Sequence, residues 1–182
     1  MRIDLIKSYD CVDLEFLRMI LIKIGLGAHM VEWIKTCISS INYVVIINGL
    51  HTIFFEASQG IRQGCALSPL LFLLVNDRLS RRISDASKRG IITRCRLTND
   101  ISLTHFMFVD DVFSIGKEVL NEWKYLFKII RSFEVVSGLL MNNIKSFLIS
   151  TNPEGAAMKE TSSLFDVQST LWMEDLSTLV SS

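Results

Sequence analysis

The chain has 182 residues, enough for one well-buried domain and too few for two. It is 49% hydrophobic with a formal net charge of zero, so it lacks the overall basic excess of many nucleic-acid binders. Mean hydropathy is high at +0.37, yet no apolar run approaches the roughly 18 residues of a membrane helix, which predicts no membrane association and an apolar face covered by another segment or chain.

Residues 2–6 are short and apolar, as in a strand ending near Asp4. Asp13 is placed as the N-cap of a helix whose Leu14, Leu17, Leu21 and Ile24 recur at helical spacing, with Gly25 and Gly27 stopping it. A second helix is predicted over 28–39, with Met30, Trp33, Ile34, Cys37 and Ile38 on its apolar side. Two β-rich runs flank Asn48-Gly49, the strongest short hairpin signal. A long helix follows over 68–84, with Ser68 as N-cap and Pro69 at its first position. The apolar stretch 67–75 is interrupted by Pro69 and reads as part of that core helix.

Residues 88–103 are polar and irregular, two strands surround Asp110-Asp111, and a helix over 118–137 ends at Gly138. "LLMNN" and "KSFLIS" finish with extended segments, and from Thr151 the composition turns small and polar. The order implies an α/β (α+β) fold, helices packed on one face of a mostly antiparallel sheet. A domain over 1–150 and a divergent C-terminal tail over 151–182 are expected.

Cys11, Cys37, Cys65 and Cys95 form no CxxC pair, and His29, His51 and His105 do not cluster near them. A zinc site is therefore not expected, and a reduced intracellular setting is. The N-terminus carries no signal-peptide pattern. Charge is uneven: between Asp77 and Arg96 seven Lys/Arg face two Asp. This run reads either as a solvated helix face or as a basic contact surface.

Asp110 and Asp111 sit side by side in the apolar run "THFMFVDDVFSI". Unpaired carboxylates are costly there, and two together repel. They could simply make a turn, which Asp favours. Alternatively, if the strand ending at Asp4 is a neighbour, three carboxylates converge as Mg²⁺ ligands alongside waters and phosphates. A second constellation is "QGIRQGCALSPLLF". Its Arg62 and capped helix start suit a phosphate or base edge, and Gly60 and Gly64 permit close approach. An ordinary hairpin-to-helix loop is the other reading.

"RIDLIKSYDCVDLEFL", "QGIRQGCALSPLLFLL", "FMFVDD" and "SGLLMNNIKS" occur in that order. Together they resemble the palm motifs of reverse transcriptases from non-LTR, LINE-type retrotransposons, over about residues 1–150. The resemblance implies RNA-directed DNA polymerisation, with an RNA template, a DNA primer and dNTP as partners. It implies two Mg²⁺ ions, replaceable by Mn²⁺, on Asp4 and Asp110, with Asp111 as a supporting third carboxylate. Tyr9 matches the aromatic gate against a ribose 2′-hydroxyl. Gln59, Gly60, Arg62, Gln63 and Gly64 match the loop that handles nucleotide and template, and Lys145 matches a lysine facing the leaving pyrophosphate.

Cys65-Ala66 replaces the family's usual acidic or Cys-Pro pair, Val109 replaces a commoner alanine, and Asp10 keeps a familiar acidic position for which helix capping is expected. The motifs begin at the first catalytic strand, which implies a truncated copy without fingers. A catalytically inactive remnant or an interaction module is the alternative, and the family's habit implies a nuclear location.

Overall fold

The computed structural model describes residues 1–6, 8–39, 42–56 and 59–171. The chain opens with strand β1 (Arg2–Asp4), the short helix α1 (Ser8–Cys11) and helices α2 (Leu14–Lys23) and α3 (Ala28–Ser39). Asp13 caps α2 as expected, its carboxylate accepting from the Phe16 amide at 2.7 Å. The expected strand over 2–6 is shorter: Leu5 makes only an isolated bridge to Met141, and Ile6 donates to the Leu140 carbonyl at 2.8 Å. On α3 the buried residues are Val31 and Ile38, while Met30, Trp33 and Cys37 are exposed. The apolar stripe assigned from spacing is therefore rotated, because α3 packs against α2 alone among the helices with substantial contacts to it.

Next come β2 (Asn42–Tyr43), β3 (Ile46–Ile47), β4 (Leu50–His51) and β5 (Phe55–Glu56). Asn48 and Gly49 both take positive φ, the two-residue turn that matches strand twist, and set the register Ile46↔His51. Parts of both β-rich runs lie outside the described residues. Helix α4 (Ser68–Lys88) runs one turn past the expected end. Leu67, not Ser68, is its N-cap, and the Ser68 hydroxyl instead donates to the Arg62 carbonyl at 2.5 Å. The stretch expected to be irregular contains a small ladder, β6 (Cys95–Arg96) with β7 (Ser102–Leu103).

The remaining elements are β8 (His105–Phe108), β9 (Asp111–Ser114), α5 (Leu120–Ser137), β10 (Phe147–Ser150), α6 (Ala156–Phe165) and β11 (Gln168–Leu171). Five strands form one sheet in the order β11-β10-β1-β9-β8, antiparallel except for β10 with β11. Alternation along the strands separates its two faces. Ile3, Val112 and Leu148 point into a core shared with Leu71, Phe72, Leu79, Ile130, Phe133 and Phe165 of the helices. Arg2, Asp4, Asp111, Phe113 and Phe147 share the other, open face, in the register Arg2↔Phe113, Asp4↔Asp111 and Arg2↔Phe147. The fold is mixed α/β with an antiparallel-dominated sheet, as the pattern predicts. No described helix is long and apolar enough to cross a membrane.

Two backbone junctions hold the layers together beside the open face. The segment 140–142 runs alongside residues 4–6, with the Asn142 amide on the Asp4 carbonyl at 2.8 Å. The buried Glu134 carboxylate accepts the Met141 amide at 2.8 Å and pairs with Arg131, fixing that segment to α5. At the end of α5, Gly138 takes φ +76° and lies against the Cys11 carbonyl so closely that a Cβ would collide with it.

Candidate active site

The end of β1 and the β8–β9 turn meet at one point of the sheet. Asp4 is the last residue of β1 and faces Asp111, the first residue of β9. Val109 and Asp110 form the two-residue turn, and the Leu5 amide donates to the Asp110 carbonyl at 3.2 Å. The three predicted carboxylates thus occupy one edge of the open face, all half-buried. The Asp4 backbone is further braced by Ser146, whose hydroxyl accepts its amide at 3.0 Å.

Their electrostatic situations differ. Arg2 reaches Asp111 through two parallel bonds, Nε to Oδ1 at 2.9 Å and Nη2 to Oδ2 at 3.1 Å, and lies over the Phe147 ring at 5.6 Å. The hydrogen bonds to Asp111 raise the Arg2 guanidinium above its ordinary value, with the charges of Asp111, Asp4 and Asp110 adding to this. Among the described residues, no hydrogen bond or ion pair engages the Asp4 or Asp110 carboxylate. Nor is any group of three His, Cys, Asp or Glu side chains placed to hold a metal among those residues. Asp4 and Asp110 still fit a hard cation, because Mg²⁺ is commonly held by one or two carboxylates plus water and phosphate oxygens. Asp111 is committed to Arg2.

A cleft of about 570 Å³ opens beside Asp110, lined by Tyr9, Gln63, Gly64, Cys65, Ala66, Ser68, Pro69 and Val109 as well. Its wall is the loop before α4, seated on α1 by main-chain bonds. The Gly60 amide donates to Val12 at 2.8 Å and the Ile61 amide to Tyr9 at 2.7 Å. Gly60 has φ +88°, and a Cβ there would lie 2.6 Å from the Asp10 carbonyl oxygen, so this contact needs glycine. Tyr9, which lines the cleft, stacks on the buried Phe72 of α4 with centroids 4.8 Å apart.

Of the residues singled out in the sequence, Tyr9, Gln63, Gly64 and Asp110 come together in the cleft. Gly60 works behind the wall. Gln59 and Arg62 are exposed outside the lining, and Lys145 is exposed in the turn that precedes Ser146. Asp10 does not cap a helix: it accepts from Gln63 Nε2 at 2.9 Å, orienting that side chain at the cleft.

Sequence reasoning missed Arg2, Asn142 and Ser146 as partners of the acidic cluster, since only long-range packing brings them to it. It also passed over the Cys65 thiol, which the amide of Leu67 at the start of α4 pulls below its ordinary value, with Ser68 and Arg62 assisting. Its spacing from Pro69 was the available signal.

The comparisons with known proteins agree with this geometry. An uncharacterized mitochondrial protein of Arabidopsis thaliana is 37% identical over 70 residues, 38% of this chain and 57% of that protein, so the chain spans just over half the length of that relative. Residues 1–168 match the family model of reverse transcriptase (RNA-dependent DNA polymerase). With nearly the whole described chain inside that match, carboxylates at a strand end and a turn beside a glycine-walled cleft, the chain belongs to the reverse transcriptase (RNA-dependent DNA polymerase) family.

Proposed function

We propose that the chain is the palm of a LINE-type, retrotransposon-derived reverse transcriptase that adds a dNTP to a DNA primer on an RNA template. The observation that carries this reading is the uncommitted Asp110 carboxylate lining the 570 Å³ cleft, with Asp4 at the adjoining end of β1. These two side chains would hold Mg²⁺, or Mn²⁺ in its place. When bound, the metal supplies an activated primer 3′-oxygen and neutralises the phosphate charge that develops as pyrophosphate leaves.

The chain's own groups do the remaining work. Tyr9, stacked on Phe72 and lining the cleft, would stand against a ribose 2′-hydroxyl. Gln63, turned by Asp10, offers its amide toward the base or the template backbone. Gly64 leaves the cleft wall open for close approach. Lys145, exposed in the turn before Ser146, would supply a positive charge, or a proton, for the departing pyrophosphate. In this reading residues 151–182 begin the connection toward a thumb, and the protein works in the nucleus.

A second reading, a non-catalytic remnant acting as an interaction module, is favoured by the Arg2–Asp111 ion pair and by the exposed apolar residues Ile46, Ile47, Leu50, Ile53 and Phe54 around the β3–β4 hairpin. The two readings separate in one assay: dTTP incorporation on oligo(dT)-primed poly(rA) with Mg²⁺ or Mn²⁺. Wild-type incorporation that Asp4→Asn and Asp110→Asn each abolish supports catalysis. A folded wild type without incorporation supports the remnant.

A further inference from the structure

Val109 has φ +52°, a conformation that β-branched residues rarely adopt. It sits between Phe108 and Asp110 at the tip of the β8–β9 turn, so its conformation sets where Asp110 points. Strain of this kind persists only where the surroundings over-determine it. One side chain from outside the turn reaches in: Asn76 of α4, whose Nδ2 donates to the Val109 carbonyl at 2.8 Å.

Asn76 is itself unusual. It is only 4% exposed, and its Oδ1 is buried with no hydrogen-bond partner. The amide cannot be turned over, because two oxygens would then face each other. Half of the side chain's bonding capacity is thus unmet in the core, where an apolar residue would avoid that cost. The bonded half accounts for keeping an amide here.

We infer that Asn76 is a positioning residue that pins the strained Val109 turn and thereby fixes Asp110 relative to Asp4. Its functional meaning rests on the reading of Asp110 as a cation ligand, but the turn geometry does not. If α4 grips the turn through this amide, removing it frees the turn without loosening β1 from the segment 140–142. Glycine at 109 would adopt the same backbone without strain and would remove the need for the grip.

Two amides report these alternatives in the metal-free protein. Leu5 donates to the Asp110 carbonyl, and Asn142 donates to the Asp4 carbonyl on the opposite side of β1. The test is native-state hydrogen exchange at both in wild type, Asn76→Leu, Val109→Gly and the double variant, with Asn76→Ala made in case the leucine does not fold. Exchange at Leu5 is expected to accelerate about tenfold on Asn76→Leu, the worth of one buried hydrogen bond, with Asn142 within about twofold of wild type. In the Val109→Gly background the same substitution should leave Leu5 unchanged. Equal acceleration of both amides, no response at Leu5, or an undiminished response in the glycine background overturns the inference. In the same proteins Mg²⁺ affinity, read by titration calorimetry, should fall several-fold on Asn76→Leu. A wild type that binds no Mg²⁺ while Leu5 responds as expected overturns the polymerase reading and supports the positioning role.

Discussion

Gly60→Ala tests how the cleft wall is attached. The substitution adds one methyl group at φ +88°, 2.6 Å from the Asp10 carbonyl oxygen and 2.8 Å from its carbon. Holding a non-glycine residue there costs about 1–2 kcal/mol. Because the atoms it meets are backbone, the loop must lift, stretching the Gly60–Val12 and Ile61–Tyr9 bonds, each worth about 1 kcal/mol. Together these predict a loss of about 3 kcal/mol. Gly64→Ala is the internal control: it lies in the same loop at φ +81°, with nothing within 4 Å of an added Cβ. It should lose only the conformational part, about 1 kcal/mol. Urea unfolding followed by far-UV circular dichroism reads both. With a slope of about 2 kcal/mol/M, the midpoint falls by about 1.5 M for Gly60→Ala and about 0.5 M for Gly64→Ala. Midpoints within about 0.2 M of each other would refute the tight seating of the loop on α1.

Three more predictions concern groups around the cleft. A double-mutant cycle on Arg2→Met and Asp111→Asn should give a coupling of about 1 kcal/mol in urea unfolding, modest because Arg2 is about one-third exposed; a coupling near zero would remove the clamp on Asp111. At pH 7.5 iodoacetamide should alkylate Cys65 several-fold faster than the exposed Cys37, and a dNTP should slow Cys65 alone; equal rates, or equal protection, would count against the lowered thiol or its place in the cleft. Burial lowers the His105 imidazole below its ordinary 6.5, so the unfolded chain takes up the proton first. Stability is therefore full above pH 6.5 and declines as pH falls from there toward the lowered folded value. His105→Gln should flatten that part of the curve between pH 7 and 5, and superimposable curves would refute it.

What could be read directly from the sequence was whatever a few neighbouring residues decide. Asp13 caps α2 and Asn48-Gly49 turns β3 into β4, because each needs only its own local backbone. Asp110-Asp111 announced the acidic turn because two adjacent carboxylates in an apolar run must reach water or a cation. What stayed hidden depends on contacts between segments far apart in the chain. Arg2 meets Asp111 across 109 positions, Gln63 meets Asp10 across 53, and Asn76 meets Val109 across 33. Helix α6 and strand β11 escaped notice on different grounds: their small, polar residues carry little periodic signal, and β11 is defined by parallel pairing with β10.

The central place of β1 in its sheet has a consequence for synthesis. Its neighbours on either side, β9 and β10, register Asp4 with Asp111 and Arg2 with Phe147. On a translating ribosome, at roughly 5–20 residues per second, β1 emerges ~7–30 s before Phe147. Until β9 follows, ~5–22 s after β1, Ile3 has no strand partner, and the nascent segment must be shielded or remain collapsed on the helices that follow it. Long-range pairing of this kind also slows refolding of the finished chain. The acidic edge that begins at Asp4 is thus completed only once β9 has followed, although Asp4 is made well before Asp110 and Asp111.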